Sequence, residues 1–220
     1  MLERVLEPEV MDDPAEAAAY DAMDHNPPNL AFAERLLELG IDRCAAALDL
    51  GTGPGDIPIL LCGPTTGLAI TAVDLAQSML DLAKHKVELA GLTKRITLAR
   101  MDVKKLDLPD DAFDAVFSNT ILHHLPDPGV MLAEAARVLR PGGLLLIRDL
   151  YRPDSLEQLN ALVDQHAADC DAEQRRLFGA SLHAALTPDE LRGLAQQNGL
   201  GDAEVVVDTD RHMSLQIARA

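Results

Sequence analysis

Between residues 45 and 150, short apolar runs alternate with segments whose apolar residues recur at helical spacing. The pattern predicts strands at Ala45–Leu50, Leu68–Asp74, Ile96–Arg100, Phe113–Ser118 and Gly143–Leu150, and helices at Gln77–Ala90, at Gly129–Leu139 and from near Asp56. Such alternation favours right-handed βαβ units, in which helices cover both faces of a parallel sheet. The chain is therefore predicted to be an α/β protein.

The rhythm changes after Leu150. The remaining predicted elements are a helical stretch at Asp154–Phe178, a helix from Thr187 to Asn198, and strands at Ala203–Asp208 and Met213–Ala218. Only Thr209–His212 separates the last two runs. So short a connection permits a hairpin but no parallel crossover, so the last strand is expected to be antiparallel.

The chain is interpreted as one domain, 1–220, with two helical segments outside the alternating part. Its predicted parts are an N-terminal helical lid (1–40), a core (41–150), a helical insertion (151–185), and a C-terminal helix with a β-hairpin (186–220). Asn26-Pro27-Pro28 is expected to interrupt the first segment, and Asn29 to cap the next helix. An insertion after the fifth strand emerges at the carboxyl edge of the sheet, where α/β proteins bind ligands. The alternatives to a lid are an extension of the core and a contact in a homodimer.

Charge limits the expected partners. The chain has 19 Lys and Arg against 36 Asp and Glu, a formal net charge of −17 at pH 7. This charge repels phosphate backbones at long range, and an aromatic content of only 3% disfavours a base-stacking surface. Nucleic acid is therefore not an expected partner, and a small-molecule substrate is.

Three features bear on the compartment. Residues 1–9 are acidic and lack the apolar segment of a signal peptide, and runs such as Ile57–Cys62 are too short for membrane insertion. Cys44, Cys62 and Cys170 are scattered, with no Cys-x-x-Cys pair, which disfavours a disulfide framework and a zinc site. A cytoplasmic protein without a bound metal is expected.

A glycine-rich loop and two acids are the first chemical signals. Gly51, Gly53 and Gly55 follow the first predicted strand, and glycines let a ligand approach the backbone closely. Asp74 comes 23 residues after Gly51, at a strand end where a carboxylate can accept hydrogen bonds from both ribose hydroxyls. Asp102 follows the third strand, where it could accept from an adenine amine. The alternatives are a structural turn, a helix cap at Asp74 and a solvated acid at Asp102.

Three further motifs follow in order: Phe113-Asp114-Ala115-Val116, Leu122-His123-His124-Leu125, and the turn Leu139-Arg140-Pro141-Gly142-Gly143. Together with the loop and the two acids, they resemble the class I S-adenosylmethionine-dependent methyltransferase family, in particular its small-molecule branch typified by ubiquinone and menaquinone biosynthesis. The resemblance covers about residues 45–150. It implies a Rossmann-like seven-stranded sheet of order 3-2-1-4-5-7-6 with the last strand antiparallel.

The resemblance implies S-adenosylmethionine as the cofactor and S-adenosylhomocysteine as the product. The implied cofactor-binding residues are Gly51, Thr52 and Gly53 for the methionine moiety, Asp49 for its ammonium through water, Asp74 and Leu75 for the ribose, Asp102 and Val103 for the adenine, Ser118 or Asn119 beneath the sulfonium, and Met79. Tyr20 matches a tyrosine that the family places in an N-terminal lid near the cofactor carboxylate. A core tyrosine is the alternative for Tyr20.

Methyl transfer from a sulfonium is an in-line displacement that depends mainly on proximity and the exclusion of water. A hydroxyl acceptor would gain from a base, and the candidate catalytic residues are His123, His124 and Asp149. Structural or cofactor-shaping histidines, and an ion pair between Arg148 and Asp149, are the alternatives. A non-catalytic S-adenosylmethionine-binding protein and a nicotinamide-dependent oxidoreductase are the alternative functions.

Overall fold

The computed structural model describes residues 2–7, 12–22 and 26–219. Within these ranges the strands are β1 (Ala46–Leu50), β2 (Ala69–Asp74), β3 (Ile96–Arg100), β4 (Phe113–Asn119), β5 (Leu139–Leu150), β6 (Glu204–Val207) and β7 (His212–Ile217). The helices are α1 (Pro14–Asp21), α2 (Asn26–Glu38), α3 (Asp56–Cys62), α4 (Gln77–Leu89), α5 (Pro128–Val138), α6 (Leu156–His166), α7 (Ala172–Ala184) and α8 (Pro188–Gln197). A short 3₁₀ helix at Leu122–His124 is called the His turn below. No helix in these ranges is both long and apolar enough to cross a bilayer.

The strands of the described chain form one seven-stranded sheet with the order β3-β2-β1-β4-β5-β7-β6. Strands β1 to β5 pair in parallel, whereas β7 runs antiparallel to both β5 and β6. The link from Val207 to His212 is too short for a parallel crossover, which needs about a dozen residues or more. The predicted strand order and the antiparallel last strand are confirmed.

Helices cover both faces of the sheet, as expected for βαβ units. On one face, α2, α3 and α4 pack against inward residues such as Ala47, Phe117 and Leu146. On the other face, α5 and α8 pack against Leu48 and Leu145. Successive strand residues thus enter different cores, because side chains alternate across a strand.

Helix α2 begins at Asn26, earlier than the sequence indicated. Pro27 and Pro28 lie in its first turn, where a missing N–H is harmless because the first amides of a helix have no intrahelical partner. The prediction that Asn29 caps this helix is therefore wrong. Phe32, which is 0% exposed, anchors α2 on the sheet.

The helical stretch predicted at Asp154–Phe178 is in fact two helices, α6 and α7, separated by residues 167–171. Asp171 starts the second helix with a capping box. Its side chain accepts a hydrogen bond from the Gln174 amide, and the Gln174 side chain accepts one from the Asp171 amide. A capping box satisfies two amides that would otherwise be unpaired, so it favours a new helix over a continuous one.

The sequence Leu-Arg-Pro-Gly-Gly lies inside β5 rather than forming a turn before it. Leu139 already pairs with Phe113, and the register shifts before Ala115 pairs with Leu144. Gly142, with φ of 73°, supplies the left-handed backbone within this irregularity. The predicted start of this strand at Gly143 is therefore too late.

Two further segments lie at the carboxyl edge of the sheet. Leu182 of α7 packs against Leu150, the last residue of β5. The N-terminal strap (Leu2–Glu7) runs beside α7, where the Val5 amide donates to the His183 carbonyl at 3.2 Å. The carboxyl edge is thus flanked by α6, α7 and the N-terminal strap.

Candidate active site

Four neighbouring strands carry the cofactor-binding residues that the sequence implied. Asp49 lies in β1 and is followed by the glycine loop (Gly51–Gly55), Asp74 ends β2, Asp102 follows β3, and Ser118 and Asn119 end β4. Strands β3, β2, β1 and β4 are adjacent and parallel, so their carboxyl ends meet at one edge of the sheet. The structure therefore brings these residues to a common edge.

Asp74 ties the glycine loop to the end of β2. Its Oδ2 accepts a hydrogen bond from the Gly53 amide at 2.8 Å, and its Oδ1 accepts one from the Ala76 amide at 2.9 Å. Burial raises the pKa of this carboxyl group, although these amides oppose the rise. Each carboxylate oxygen can accept more than one hydrogen bond, so Asp74 retains capacity for ligand hydroxyls.

The glycine loop is open at Gly53. This residue has φ of 54°, and a Cβ built on it would meet nothing within 4 Å. By contrast, a Cβ on Gly51 would come within 2.7 Å of the Ile121 side chain. The loop is therefore packed at its start and has free space at Gly53.

Asp49 is the most perturbed acid at this edge. It is 2% exposed, and among the described residues its Oδ2 has no hydrogen-bond partner. Burial raises the pKa of Asp49 from 3.8 to about 7, although the nearby Thr52 hydroxyl opposes the rise. Thr52 Oγ1 and Asn119 Oδ1 are also buried, and neither has a partner in hydrogen-bond geometry among the described residues. Buried polar atoms are rarely left unsatisfied, so this edge fits a polar ligand that carries a cationic group.

The ends of β3 and β4 differ in their availability. The Asp102 side chain is 37% exposed. It accepts a hydrogen bond from the Lys104 amide at 2.9 Å and forms an ion pair with Lys104 Nζ at 3.2 Å. Val103 beside it is buried and offers an apolar surface. The Ser118 hydroxyl, by contrast, donates to the Leu50 carbonyl at 2.7 Å. Ser118 thus helps to fix β4 against β1, whereas Asn119 Oδ1 has no hydrogen-bond partner in the part of the chain that the structure describes.

Helix α1 lies against the first turn of α4 beside this edge. Met79 of α4 packs with Ala17 of α1, and half-buried Leu75 precedes the same helix. Desolvation, together with the charges of Asp56 and Asp74, raises the pKa of the Tyr20 phenol. Tyr20 and Met79 thus lie on the side of the crevice next to Asp74.

His123 in the His turn is held between two carboxylates. Its Nδ1 lies 2.6 Å from Asp149 Oδ1, and its amide donates to Asp149 Oδ2 at 3.1 Å. Its Nε2 lies 3.3 Å from Glu7 Oε1. Burial opposes the charged imidazole, but Asp149 and Glu7 together raise the pKa of His123, while the His123 charge lowers the pKa of Asp149 against the effect of burial. Because both ring nitrogens face carboxylates, His123 is not open to a substrate in this arrangement.

His124 is the more accessible of the two histidines. Its side chain is 33% exposed, against 3% for His123. Its Nδ1 lies 3.1 Å from Glu7 Oε1. The chain enters the His turn through Thr120, whose φ of 65° is unusual for a β-branched residue. The centres of the two imidazole rings lie 4.1 Å apart.

Arg148 and Asp149 do not form the ion pair considered in the sequence analysis. Asp149 contacts His123, whereas the Arg148 guanidinium lies 5.6 Å from the centre of the Phe32 ring. The two residues are adjacent in β5, so their side chains point to opposite faces. The Arg152 guanidinium is also held by the protein, because its Nη1 donates to the Ala185 carbonyl at 2.6 Å.

Comparison with known proteins identifies a family with which the central part of the chain matches. Residues 48–147 match the sequence model of a family described as "Methyltransferase domain". Residues 48–147 are a methyltransferase domain of the class I, S-adenosylmethionine-dependent kind. The matched part runs from β1 into β5 and includes the glycine loop, Asp74, Asp102 and the His turn.

The methyltransferase resembles two curated relatives over much of its length. It is 30% identical over 153 residues to 27-O-demethylrifamycin SV methyltransferase of Amycolatopsis mediterranei, covering 70% of this chain and 53% of that protein. It is 31% identical over 152 residues to demethylmenaquinone methyltransferase of Bacteroides fragilis, covering 63% of this chain and 58% of that protein. The chain thus spans about half the length of the curated relatives it matches.

A solved structure shows the same fold. The crystal structure of a putative S-adenosyl-L-methionine-dependent methyltransferase from Methanococcus maripaludis has a TM-score of 0.73 to this methyltransferase. The two share 20% sequence identity, and the match covers 98% of this chain and 97% of that chain. At this identity, the likeness establishes the architecture alone.

Sequence analysis of the methyltransferase missed Glu7 and Arg4, both in the N-terminal strap. Arg4 donates from Nε to the Ala184 carbonyl at 2.6 Å and from Nη2 to the Leu125 carbonyl at 2.9 Å. These contacts hold Glu7 against the His turn. No local pattern around Glu7 indicates this role, because its partners lie more than 100 residues away in the chain.

Proposed function

We propose that this chain transfers a methyl group from S-adenosylmethionine to a small-molecule acceptor. The observation that carries the proposal is the buried Asp49 carboxylate, whose Oδ2 is unpaired among the described residues at the end of β1 next to the glycine loop. An uncompensated buried charge is costly, and a cationic ligand group removes that cost. The ammonium of the methionine moiety is such a group.

The other acids have complementary roles in this proposal. Bound S-adenosylmethionine supplies a methyl group on a sulfonium, which is already a good leaving group. Asp74 accepts hydrogen bonds from the ribose hydroxyls, and Asp102 accepts one from the adenine amine beside the apolar Val103. The further residues proposed to line the cofactor are Tyr20, Gly51, Thr52, Gly53, Leu75, Met79, Ser118 and Asn119.

The acceptor is proposed to bind beyond the ends of β4 and β5, against the His turn. His124 is the imidazole exposed enough to reach it. His123 and Asp149 act as positioning residues, since the His123 ring is 3% exposed and lies between Asp149 and Glu7. If the acceptor group is a hydroxyl, His124 would take up the hydroxyl proton while the hydroxyl oxygen attacks the methyl carbon.

Two lids are part of the proposal. Residues 12–22 are tied to α4, because Asp12 accepts from the Ser78 amide at 3.1 Å and Lys86 forms an ion pair with Asp21. Helices α6 and α7 flank the same edge of the sheet. Closure of both segments would exclude water and orient the acceptor, which is most of what methyl transfer requires of the protein.

Hydrogen exchange tests the lids. With S-adenosylhomocysteine, we expect added protection of the amides in 12–22 and 156–184. Protection confined to the glycine loop, Asp74 and Asp102 would favour the alternative in which these helices only extend the core or form a dimer contact.

Ligand binding tests the function itself. S-adenosylhomocysteine should stabilise the protein by about 2.7 kcal/mol at a hundredfold excess over its Kd. Thermal denaturation and calorimetry measure this, with NADH as the control ligand. A chain that binds NADH and not S-adenosylhomocysteine would support the oxidoreductase alternative. Formation of S-adenosylhomocysteine during an acceptor screen separates an enzyme from a non-catalytic binding protein.

The proposal also includes the class of acceptor, the partners and the cellular compartment. The two relatives are named for a demethylated rifamycin and for demethylmenaquinone, which supports a small-molecule acceptor. The net charge of −17 supports the absence of a nucleic-acid partner. The three cysteines are free thiols, as expected in a reducing cytoplasm. A homodimer is tested by light scattering on the purified chain.

A further inference from the structure

Three potential ligand atoms converge at the N-terminal strap. Glu7 Oε1 lies 3.3 Å from His123 Nε2 and 3.1 Å from His124 Nδ1, and the two imidazole centres are 4.1 Å apart. All three ligand atoms lie within 4.8 Å of one another. His124 Nδ1 is buried and, within the part of the chain that is described, makes no contact with hydrogen-bond geometry.

We propose that Glu7, His123 and His124 bind a divalent transition-metal ion of the Zn²⁺ type. Metal–nitrogen and metal–oxygen bonds of about 2.0–2.2 Å at a tetrahedral centre place neighbouring ligand atoms about 3.3 Å apart. The two nitrogen–oxygen distances match this separation. Two imidazoles with one carboxylate suit Zn²⁺ and related ions, whereas Mg²⁺ and Ca²⁺ prefer oxygen ligands.

The surroundings of the ligands favour metal binding. Asp149 Oδ1 lies 2.6 Å from His123 Nδ1, so it fixes the tautomer in which Nε2 is the free donor atom. A carboxylate behind a metal-binding histidine is a common arrangement in zinc proteins. Ser181 Oγ donates to Glu7 Oε1 at 3.1 Å and orients the third ligand.

The site is held in place yet accessible. Arg4 fixes the strap through the Ala184 and Leu125 carbonyls, so Glu7 is already positioned before a metal arrives. His124 is 33% exposed and provides the side open to solvent. Three protein ligands leave one tetrahedral position free, as in catalytic zinc sites.

The alternative is a proton-linked cluster in which the imidazoles share Glu7 without a metal. The two arrangements have the same distances and differ in their response to metal. The experiment is a titration of the chelator-treated 220-residue chain with Co²⁺, followed by visible absorption, and with Zn²⁺, followed by calorimetry. We expect one equivalent of metal to bind and to raise the melting temperature.

Variants locate the binding. Glu7→Gln and His124→Asn should each weaken Co²⁺ binding by more than tenfold, and Asp149→Asn by about 10- to 100-fold through His123. His85→Asn, which removes an exposed imidazole from α4, is the control and should bind as the wild type does. Circular dichroism of the metal-free variants verifies that each is folded.

Two outcomes would overturn the metal site. One is the absence of a stoichiometric Co²⁺ spectrum in the wild type. The other is equal affinity in the wild type, Glu7→Gln and His124→Asn. The titration requires neither cofactor nor methyl transfer, so a failure of the proposed function would not alter its result.

Discussion

Replacing Asp49 by Asn should make the unliganded protein less sensitive to alkaline pH and should weaken its binding of S-adenosylhomocysteine. Burial raises the pKa of Asp49 from 3.8 to about 7 in the folded chain. An acid whose pKa is higher in the folded state favours folding when it is protonated. Protonated Asp49 makes its full contribution to stability below the pKa of the unfolded chain. That contribution falls as the pH rises and is fully lost above about pH 7.

The size of the effect follows from the two pKa values. One pKa unit corresponds to about 1.4 kcal/mol. Ionised Asp49 therefore lowers the free energy of unfolding by about 4 kcal/mol at high pH. Between about pH 5 and about pH 8, this one group should lower the free energy of unfolding by about 2–3 kcal/mol. Asp49→Asn should remove that pH-dependent part, whereas any fixed cost of the amide is the same at both pH values.

Urea denaturation at these two pH values gives the required difference for the wild type and for Asp49→Asn. Asp42→Asn, which removes the same charge from an exposed position, is the control and should retain the wild-type pH dependence. Calorimetry with S-adenosylhomocysteine near pH 8 completes the test, because the ionised carboxylate should then pair with the ligand ammonium. An unchanged pH dependence would refute the assignment of a buried, neutral Asp49. Equal affinity in the two proteins would refute its role toward the cofactor.

Asp74→Ala should weaken S-adenosylhomocysteine binding by about 1.5–3 kcal/mol for each charge-assisted hydrogen bond lost, and Glu157→Ala on exposed α6 should not; calorimetry on both variants decides. Gly53→Ala should cost about 1–2 kcal/mol of stability and also abolish ligand binding, whereas Gly142→Ala, at an equally open left-handed position, should cost only stability; paired melting and binding curves separate the two. Phe32→Ala should lower the free energy of unfolding by about 3–5 kcal/mol in urea, and a loss below about 1 kcal/mol would contradict the core position of α2.

The alternating part of the sequence predicted the sheet well because its signals are local. Strand runs such as Ile96–Arg100 match the observed bounds, and the short link after Val207 determines the antiparallel last strand. The errors arise where two local signals compete. Pro27 and Pro28 indicate an interruption but are also tolerated in a first helical turn, and Asp171 caps a new helix within a stretch of continuous helical spacing.

The residues of the candidate site also differ in how far the sequence predicted them. Asp49, Asp74 and Asp102 lie at fixed distances from strand ends, so their convergence at one edge of the sheet follows from topology. Glu7 reaches the His turn through tertiary contacts of the strap, such as those of Arg4 and Val5, and nothing in the spacing of the sequence encodes those contacts. The contact of His123 with Glu7 was likewise not predictable, because it depends on how the strap packs against α7.

The position of β7 has a consequence for how the protein forms during synthesis. This strand follows every other described element in the chain, yet it lies between β5 and β6. Until this strand has emerged from the ribosome, the edge of β5 from Leu145 to Leu150 lacks its β7 neighbour, and β6 lacks the strand with which it pairs. An unpaired apolar edge invites association between nascent chains. The nascent chain would therefore need protection of this edge, for example by a chaperone, until β7 is inserted between β5 and β6.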